Sequence, residues 1–252
     1  AISQLVSMSL CMIRLMRSDR AYRVNLRKIR FDGRALREIL QNGLPAGLQN
    51  SIISIANVVV QANINSFGKM AVAGCGAYAK IEGFAFLPIT SFTIALTTFV
   101  GQNLGAGEYD RTRKGARFGL WSAIILAELI AVVTFFGAPV LVGAFTQEPE
   151  AIAFGVAKCL ICAPFFCLLA ASHGFASILR GAGKSVIPMV AMLTFWCVIR
   201  VAFLSIMVPI TQSINTVNWV YPLTWFCSTV FLLIYYLKAD WIHAFEREKH
   251  KA

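Results

Sequence analysis

The sequence predicts an all-α integral membrane protein built on a bundle of six transmembrane helices. Three observations predict it. Of the 252 residues, 58% are hydrophobic and 14% charged, and the mean hydropathy is +0.68. Soluble domains lie nearer half apolar and a quarter charged. The apolar residues are gathered into runs that meet the roughly 20 residues a spanning helix needs. They far exceed the alternating segments of about 10 residues that build a membrane barrel. The basic residues fall between these runs, in alternate gaps.

The first run, AISQLVSMSLCMI at 1–13, is about 20 Å long as a helix and too short to span. No basic segment precedes it, as a signal peptide would require. It reads as the end of a transmembrane helix that begins upstream of this sequence. Residues 14–42 follow as a basic linker. Asp32 is placed to cap a short amphipathic helix, GRALREILQN, with Leu36, Ile39 and Leu40 on one side. That linker is expected along the cytoplasmic surface, where its bases favour anionic lipid.

Six spans then occupy about 43–66, 71–104, 116–145, 151–179, 186–209 and 216–238, and 239–252 forms a tail. Pro88, Pro139 and Pro164 lie inside spans, where each frees a backbone carbonyl and bends the helix. Membrane helices tolerate this when neighbours satisfy the freed group.

Nineteen of the 23 bases lie in the linker, in the gaps after the second and fourth spans, and in the tail. Only Lys69 and Lys80 fall on the other side, and Lys158 and Arg200 lie within spans. This bias places both ends of the six-helix unit in the cytoplasm, and the membrane is expected to be the plasma (inner) membrane. It also accounts for the net charge of +11 without a nucleic-acid partner.

The first span, GLPAGLQNSIISIANVVVQANINS, carries six side-chain amides and no charge. At 100° per residue, Asn50, Ser54, Asn57, Gln61 and Asn65 share an arc of about 80°. Facing lipid, each unsatisfied amide would cost several kcal/mol. The stripe therefore either bonds to neighbouring helices or lines a path for substrates, which uncharged donors and acceptors contact without trapping. Its length of four turns favours the path.

Ionisable groups at membrane depth are functional candidates. Arg200, in FWCVIRVAF, is the deepest in sequence terms. Its structural alternative is pairing with Glu128 or with free carbonyls. Glu82, Glu128 and Lys158 are candidates for ion, proton or gating roles, and Glu82 is also placed to snorkel outward. Cys159 and Cys162 have C-x-x-C spacing without a second pair, so buried packing is expected and no metal or other cofactor is implied. No nucleophile, zinc or phosphate-loop motif occurs.

Three segments carry a further signal: GLPAGLQN at 43–50, VGQNLGAGEYDRTRKGAR at 100–117 and ILRGAGKSVIPM at 178–189. In this order and at these helix ends they resemble the MATE (multidrug and toxic compound extrusion) transporters, over residues 20 to 238. The resemblance implies the second half of a twelve-helix, inverted-V, two-lobe transporter. Its partner would be the N-terminal lobe of the same chain. It also implies alternating access, with organic cations or other amphipathic drugs and metabolites leaving as Na⁺ or H⁺ enters. Pro45 matches the start of the entry helix, where its missing N–H costs little. Gly101, Gly105 and Gly107 match the first cytoplasmic turn, and Arg180, Gly181 and Gly183 the second. Some branches of the family place cation-binding carboxylates on the first and fourth spans of this lobe. Here those spans have no Asp or Glu, so the coupling ion is expected in the other lobe. Two alternatives fit less well. A lipid-linked oligosaccharide flippase of the same superfamily would want several intramembrane cations for a pyrophosphate. A membrane-embedded prenyl transferase would want clustered aspartates for magnesium.

Overall fold

The computed structural model describes residues 2–17, 24 and 30–242, and the linker and tail residues outside those ranges lie beyond the description. The chain forms two compact units, Ala1–Gln41 and Asn42–Ala252. In the first, α1 (Ile2–Arg17) exposes apolar side chains such as Leu5, Met8 and Leu10. The Val24 N–H donates to the Leu15 carbonyl at 3.3 Å.

The expected amphipathic helix at the end of the linker is continuous with the first span: α2 runs from Gly33 to Asn65 with Pro45 inside it. Then come α3 (Lys69–Gly105), α4 (Tyr109–Gly143), α5 (Pro149–Cys162), a 3₁₀ turn (Ala163–Phe165), α6 (Phe166–Gly181), α7 (Val186–Leu193), a π-helical turn (Thr194–Ile199), α8 (Arg200–Thr211) and α9 (Ile214–Lys238). Six stretches are long and apolar enough to cross a membrane: 43–65, 69–105, 109–143, 149–181, 186–211 and 214–238. Pro164 breaks the fourth span into α5 and α6 through the 3₁₀ turn.

The packing is layered along α3. Its first turns (Ala71, Cys75) join Val60 and Ile64 of α2, Leu204 of α8 and Ile214, Val217 and Val220 of α9. Its middle (Ala77–Ile89) packs with Ala127–Val142 of α4, Cys159 and Cys162 of α5, Phe166–Ala170 of α6 and Trp225 of α9. Its last turns (Leu96–Leu104) meet Ala116 and Leu120 of α4, Phe175–Leu179 of α6, Met192 of α7 and Leu232 of α9. Read by layer, α3, α5–α6 and α9 run one way, and α2, α4 and α7–α8 the other. That is the antiparallel alternation short connections impose.

The two turns of the family motifs share one geometry. In the first, Glu108 N–H donates to the Asn103 carbonyl at 2.9 Å and Gly107 N–H to Leu104 at 3.1 Å. In the second, Lys184 N–H donates to Leu179 at 2.9 Å and Gly183 N–H to Arg180 at 3.0 Å. Both are Schellman caps, and Gly107 and Gly183 both have φ +78°. Gly105, by contrast, is still helical and has open space around a would-be Cβ. Gly107→Ala and Gly183→Ala are each expected to cost about 1–2 kcal/mol, whereas Gly105→Ala is expected to be neutral or stabilising. Thermal unfolding of the three variants in detergent checks this.

Two boundaries differ from expectation. The helix after the first turn begins at Tyr109 rather than near 116, with Asp110 in its first turn, where a carboxylate complements the helix dipole. The tail does not leave the bundle at 239. Trp241 and Ile242 are buried in the layer with Leu232, and Trp241 stacks on Tyr236 at 5.3 Å.

Candidate functional site

The amide stripe lies on the outside of this six-helix unit. Asn50, Ser54, Asn57, Gln61 and Asn65 are all exposed, and α2 buries the adjacent ridge of Gln49, Ala56, Val60 and Ile64 instead. Much of the stripe bonds within its own helix: Ser54 Oγ donates to the Asn50 carbonyl and Gln61 Nε2 to Asn65 Oδ1, both at 2.9 Å. Among the described residues, Asn57 alone of the five bonds a side chain on another helix. Apart from Asn57, the stripe therefore does not join α2 to its neighbours.

Asn57 leads to a cluster of ionisable groups between the first and middle packing layers. Its Oδ1 accepts from Arg200 Nη1 at 3.2 Å. Arg200 opens α8 directly after the π-helical turn and is 1% exposed. Its Nη2 donates to Thr224 Oγ1 at 3.1 Å. The guanidinium also lies 4.9 Å from the ring centroid of Tyr221 and 5.2 Å from that of Trp196, within cation–π range. Its Nε has no hydrogen-bond partner among the described residues.

Lys158 of α5 shares Tyr221 with it. The Lys158 ammonium is 4.5 Å from the Tyr221 centroid and 5.0 Å from that of Tyr78, and the residue is 3% exposed. It thus sits inside the bundle. Tyr78 Oη donates to Glu82 Oε1 at 3.3 Å. Glu82, half-buried, is turned inward to this hydroxyl, not outward to the interface, and lies within electrostatic reach of Lys158 and Arg200. Trp196 Nε1 is fixed by Ser228 Oγ at 3.2 Å.

Glu128 stands apart. It lines a cavity with Ala131, Val132, Phe135, Phe136 and Pro164, while the hydrogen bonds of Arg200 go to Asn57 and Thr224. Arg180, read as a turn residue, reaches back from the end of α6 so that Nη2 donates to Gln49 Oε1 at 3.0 Å. Gly181 allows its turn to press on α3, since a Cβ there would meet the Thr97 carbonyl at 2.6 Å. Pro45 is half-buried inside α2. Cys159 and Cys162 are fully buried free thiols. Cys162 Sγ lies 3.8 Å from the Asn218 carbonyl, the group that Pro222 deprives of its helical donor.

Sequence reasoning did not single out Tyr78, Tyr221, Trp196, Thr224 or Gln49. Aromatic residues inside spans are ordinary packing material. Gln49 directly precedes the exposed Asn50 in sequence, and only the rotation of the helix separates the buried from the exposed amide.

Known proteins agree with this architecture. The MatE family model matches residues 45–206. A probable multidrug resistance protein of Bacillus subtilis, YpnP, is 31% identical over 166 residues, which is 66% of this chain and 37% of the relative. A FAD transporter of Shewanella oneidensis is 29% identical over 108 residues, 43% of this chain and 24% of the relative. A solved outward-facing multidrug resistance MATE transporter superposes with a TM-score of 0.85 at 19% identity, covering 98% of this chain and 55% of the solved one. The chain thus spans about half, or less, of the proteins it matches. With the family model covering most of the bundle and the helices arranged as in that solved transporter, the chain belongs to the MATE family of multi-pass membrane transporters.

Proposed function

We propose that this chain forms one lobe of a two-lobe secondary active exporter that moves amphipathic drugs or metabolites out of the cell by alternating access. The observation that carries the reading is the exposed stripe of Asn50, Ser54, Asn57, Gln61 and Asn65. On a membrane helix such a face needs protein or water opposite it, and a second lobe enclosing a cavity provides both. Sodium ions or protons enter in exchange, and their site lies in the other lobe, because α2, α5 and α6 have no carboxylate within the first and fourth spans as expected from sequence. Both ends of the six-helix unit face the cytoplasm of a plasma membrane, in keeping with the alternation of bases. The relatives range from a probable multidrug resistance protein to a FAD transporter, which supports transport without fixing one cargo.

The test uses the protein as its gene encodes it, reconstituted in liposomes with an imposed sodium or pH gradient. Gradient-driven movement of fluorescent amphipathic dyes is expected. Asn57→Ala with Gln61→Ala is expected to lower transport of at least one dye by about threefold to tenfold, the worth of one or two hydrogen bonds. Unchanged transport of every dye would make the stripe a passive contact surface.

A further inference from the structure

The cluster around Tyr221 carries an excess of positive charge. Two cations, Lys158 and Arg200, are almost fully buried. Their described contacts are neutral: Asn57, Thr224 and the faces of Tyr78, Tyr221 and Trp196. Burying a charge costs several kcal/mol even after relaxation, and neutral partners offset this incompletely. Glu82 supplies a single negative charge against the two positive ones, and it is already engaged by Tyr78 Oη. Donor capacity is left over as well. Among the described residues, Arg200 Nε is unpartnered, and so is the donor Nδ2 of the fully buried Asn218, one turn before Tyr221 on α9. The cluster reaches the outer face of the lobe through Asn57, which is exposed, and through Tyr221, Trp196 and Glu82, which are half-buried.

From this arrangement we infer that the Lys158–Arg200 cluster binds amphipathic anions, taking a carboxylate or phosphate group between the two cations and the apolar body against Tyr221 and Trp196. The inference rests on the transporter reading above and narrows its cargo: the group recognised here is negative, not an organic cation. An anion supplies the missing counter-charge and accepts from the guanidinium, whose fork suits carboxylate and phosphate. A cation would face the same two charges with only Glu82 in its favour. Glu82 acts as a competing internal anion, which gives the inference a sign. Removing its charge strengthens the binding of an external anion.

The experiment compares two probes of one shape, 1-naphthyl phosphate and 1-naphthylmethylammonium, titrated by calorimetry into the gene-encoded protein in phosphatidylcholine nanodiscs. The phosphate is expected to bind at least about tenfold more tightly than the ammonium. Lys158→Met and Arg200→Met are each expected to weaken it about tenfold or more, in line with loss of a charged hydrogen-bond donor. Glu82→Gln is expected to tighten the phosphate and weaken the ammonium. Tighter binding of the ammonium by the unmutated protein, or a Glu82→Gln effect of the opposite sign, overturns the inference without any need for the cationic variants to fold. Loss of naphthyl phosphate binding on adding a few mole per cent of phosphatidylglycerol keeps the anion site but overturns its reading as a cargo site, by assigning the phosphate to a lipid headgroup. The two readings fail separately. Gradient-driven uptake of the ammonium probe, with no binding of the phosphate, leaves a transporter and removes the anion site. Phosphate binding with the stated variant pattern, but no movement of any dye or probe, keeps the site and removes the transporter.

Discussion

Gly74→Ala is expected to be among the most damaging single substitutions in this chain. A Cβ on Gly74 of α3 would overlap the Ala151 carbonyl oxygen and meet Gly155 N at 2.8 Å and Phe154 Cβ at 2.9 Å. The reciprocal position is as tight: a Cβ on Gly155 of α5 would lie 2.6 Å from Val142 Cγ1 and 2.9 Å from the Gly74 carbonyl oxygen. The obstacles are largely backbone, so no side-chain rotation relieves them. Small residues that let two backbones touch are how membrane helices gain packing energy without a hydrophobic driving force between them. Overpacking costs typically about 1–3 kcal/mol, and a clash with backbone belongs at the upper end. Gly76→Ala is the control, since its Cβ meets nothing within 4 Å and helix propensity improves by about 0.5–1 kcal/mol. Thermal unfolding in detergent should separate the pair by several degrees, and equal midpoints would show that α3 and α5 are not in contact at Gly74. The damage should extend to ligand binding, because Lys158 sits one turn beyond Gly155. Moving α5 outward draws its ammonium away from Tyr78 and Tyr221.

The second large effect is an inversion of the usual order of severity. Thr224→Val keeps the shape but takes a hydroxyl from Arg200 Nη2, leaving a buried charge with one fewer partner. It is expected to lower stability by about 1.5–3 kcal/mol, the worth of a hydrogen bond to a charged group. Arg200→Met, which deletes the charge outright, is expected to be close to neutral or stabilising, because replacing a buried ion with an apolar side chain of similar volume removes its desolvation penalty. The more drastic change should therefore give the more stable protein. Unfolding midpoints for the two variants, each measured against the unmutated chain, decide the matter. A strongly destabilised Arg200→Met alongside a normal Thr224→Val would mean that the guanidinium holds the bundle together by packing. With the opposite outcome, Arg200 is retained at a cost in stability, as functional groups frequently are.

Much of this was legible in the sequence for a simple physical reason. A span must satisfy its own backbone across about 30 Å of hydrocarbon, so it announces itself by length and composition. All six stretches appear in the structure within a few residues of the expected limits, except where Tyr109 starts α4 early. The stripe was legible too, because periodicity alone puts Asn50, Ser54, Asn57, Gln61 and Asn65 on one side. What periodicity does not carry is the identity of the element opposite each face. Asn57 meets Arg200 across 143 positions of sequence. Lys158 and Arg200 meet on Tyr221, a residue that resembles any other aromatic in a membrane helix. Glu128 was the natural acidic partner by depth, yet depth in sequence says nothing of azimuth, and Glu128 lines a different surface. The glycines of the cytoplasmic turns show the same limit. One motif holds Gly105, which the turn does not need, and Gly107, which it does.

The π-helical turn at Thr194–Ile199 has a consequence for how this span tolerates change in its length. Met192 and Arg200 are eight positions apart. In a regular helix they would stand about 80° apart around the axis, but with one residue absorbed by the wide turn the offset falls to about 20°. Both residues are buried, so the wide turn acts as a phase correction that keeps α7 and α8 on one face. Deleting a single codon inside Thr194–Ile199 would then convert the turn to ordinary helix while leaving both buried faces in register. The middle of this span is a place where deletion of one residue is structurally permitted, although membrane depth is where such changes are usually least tolerated.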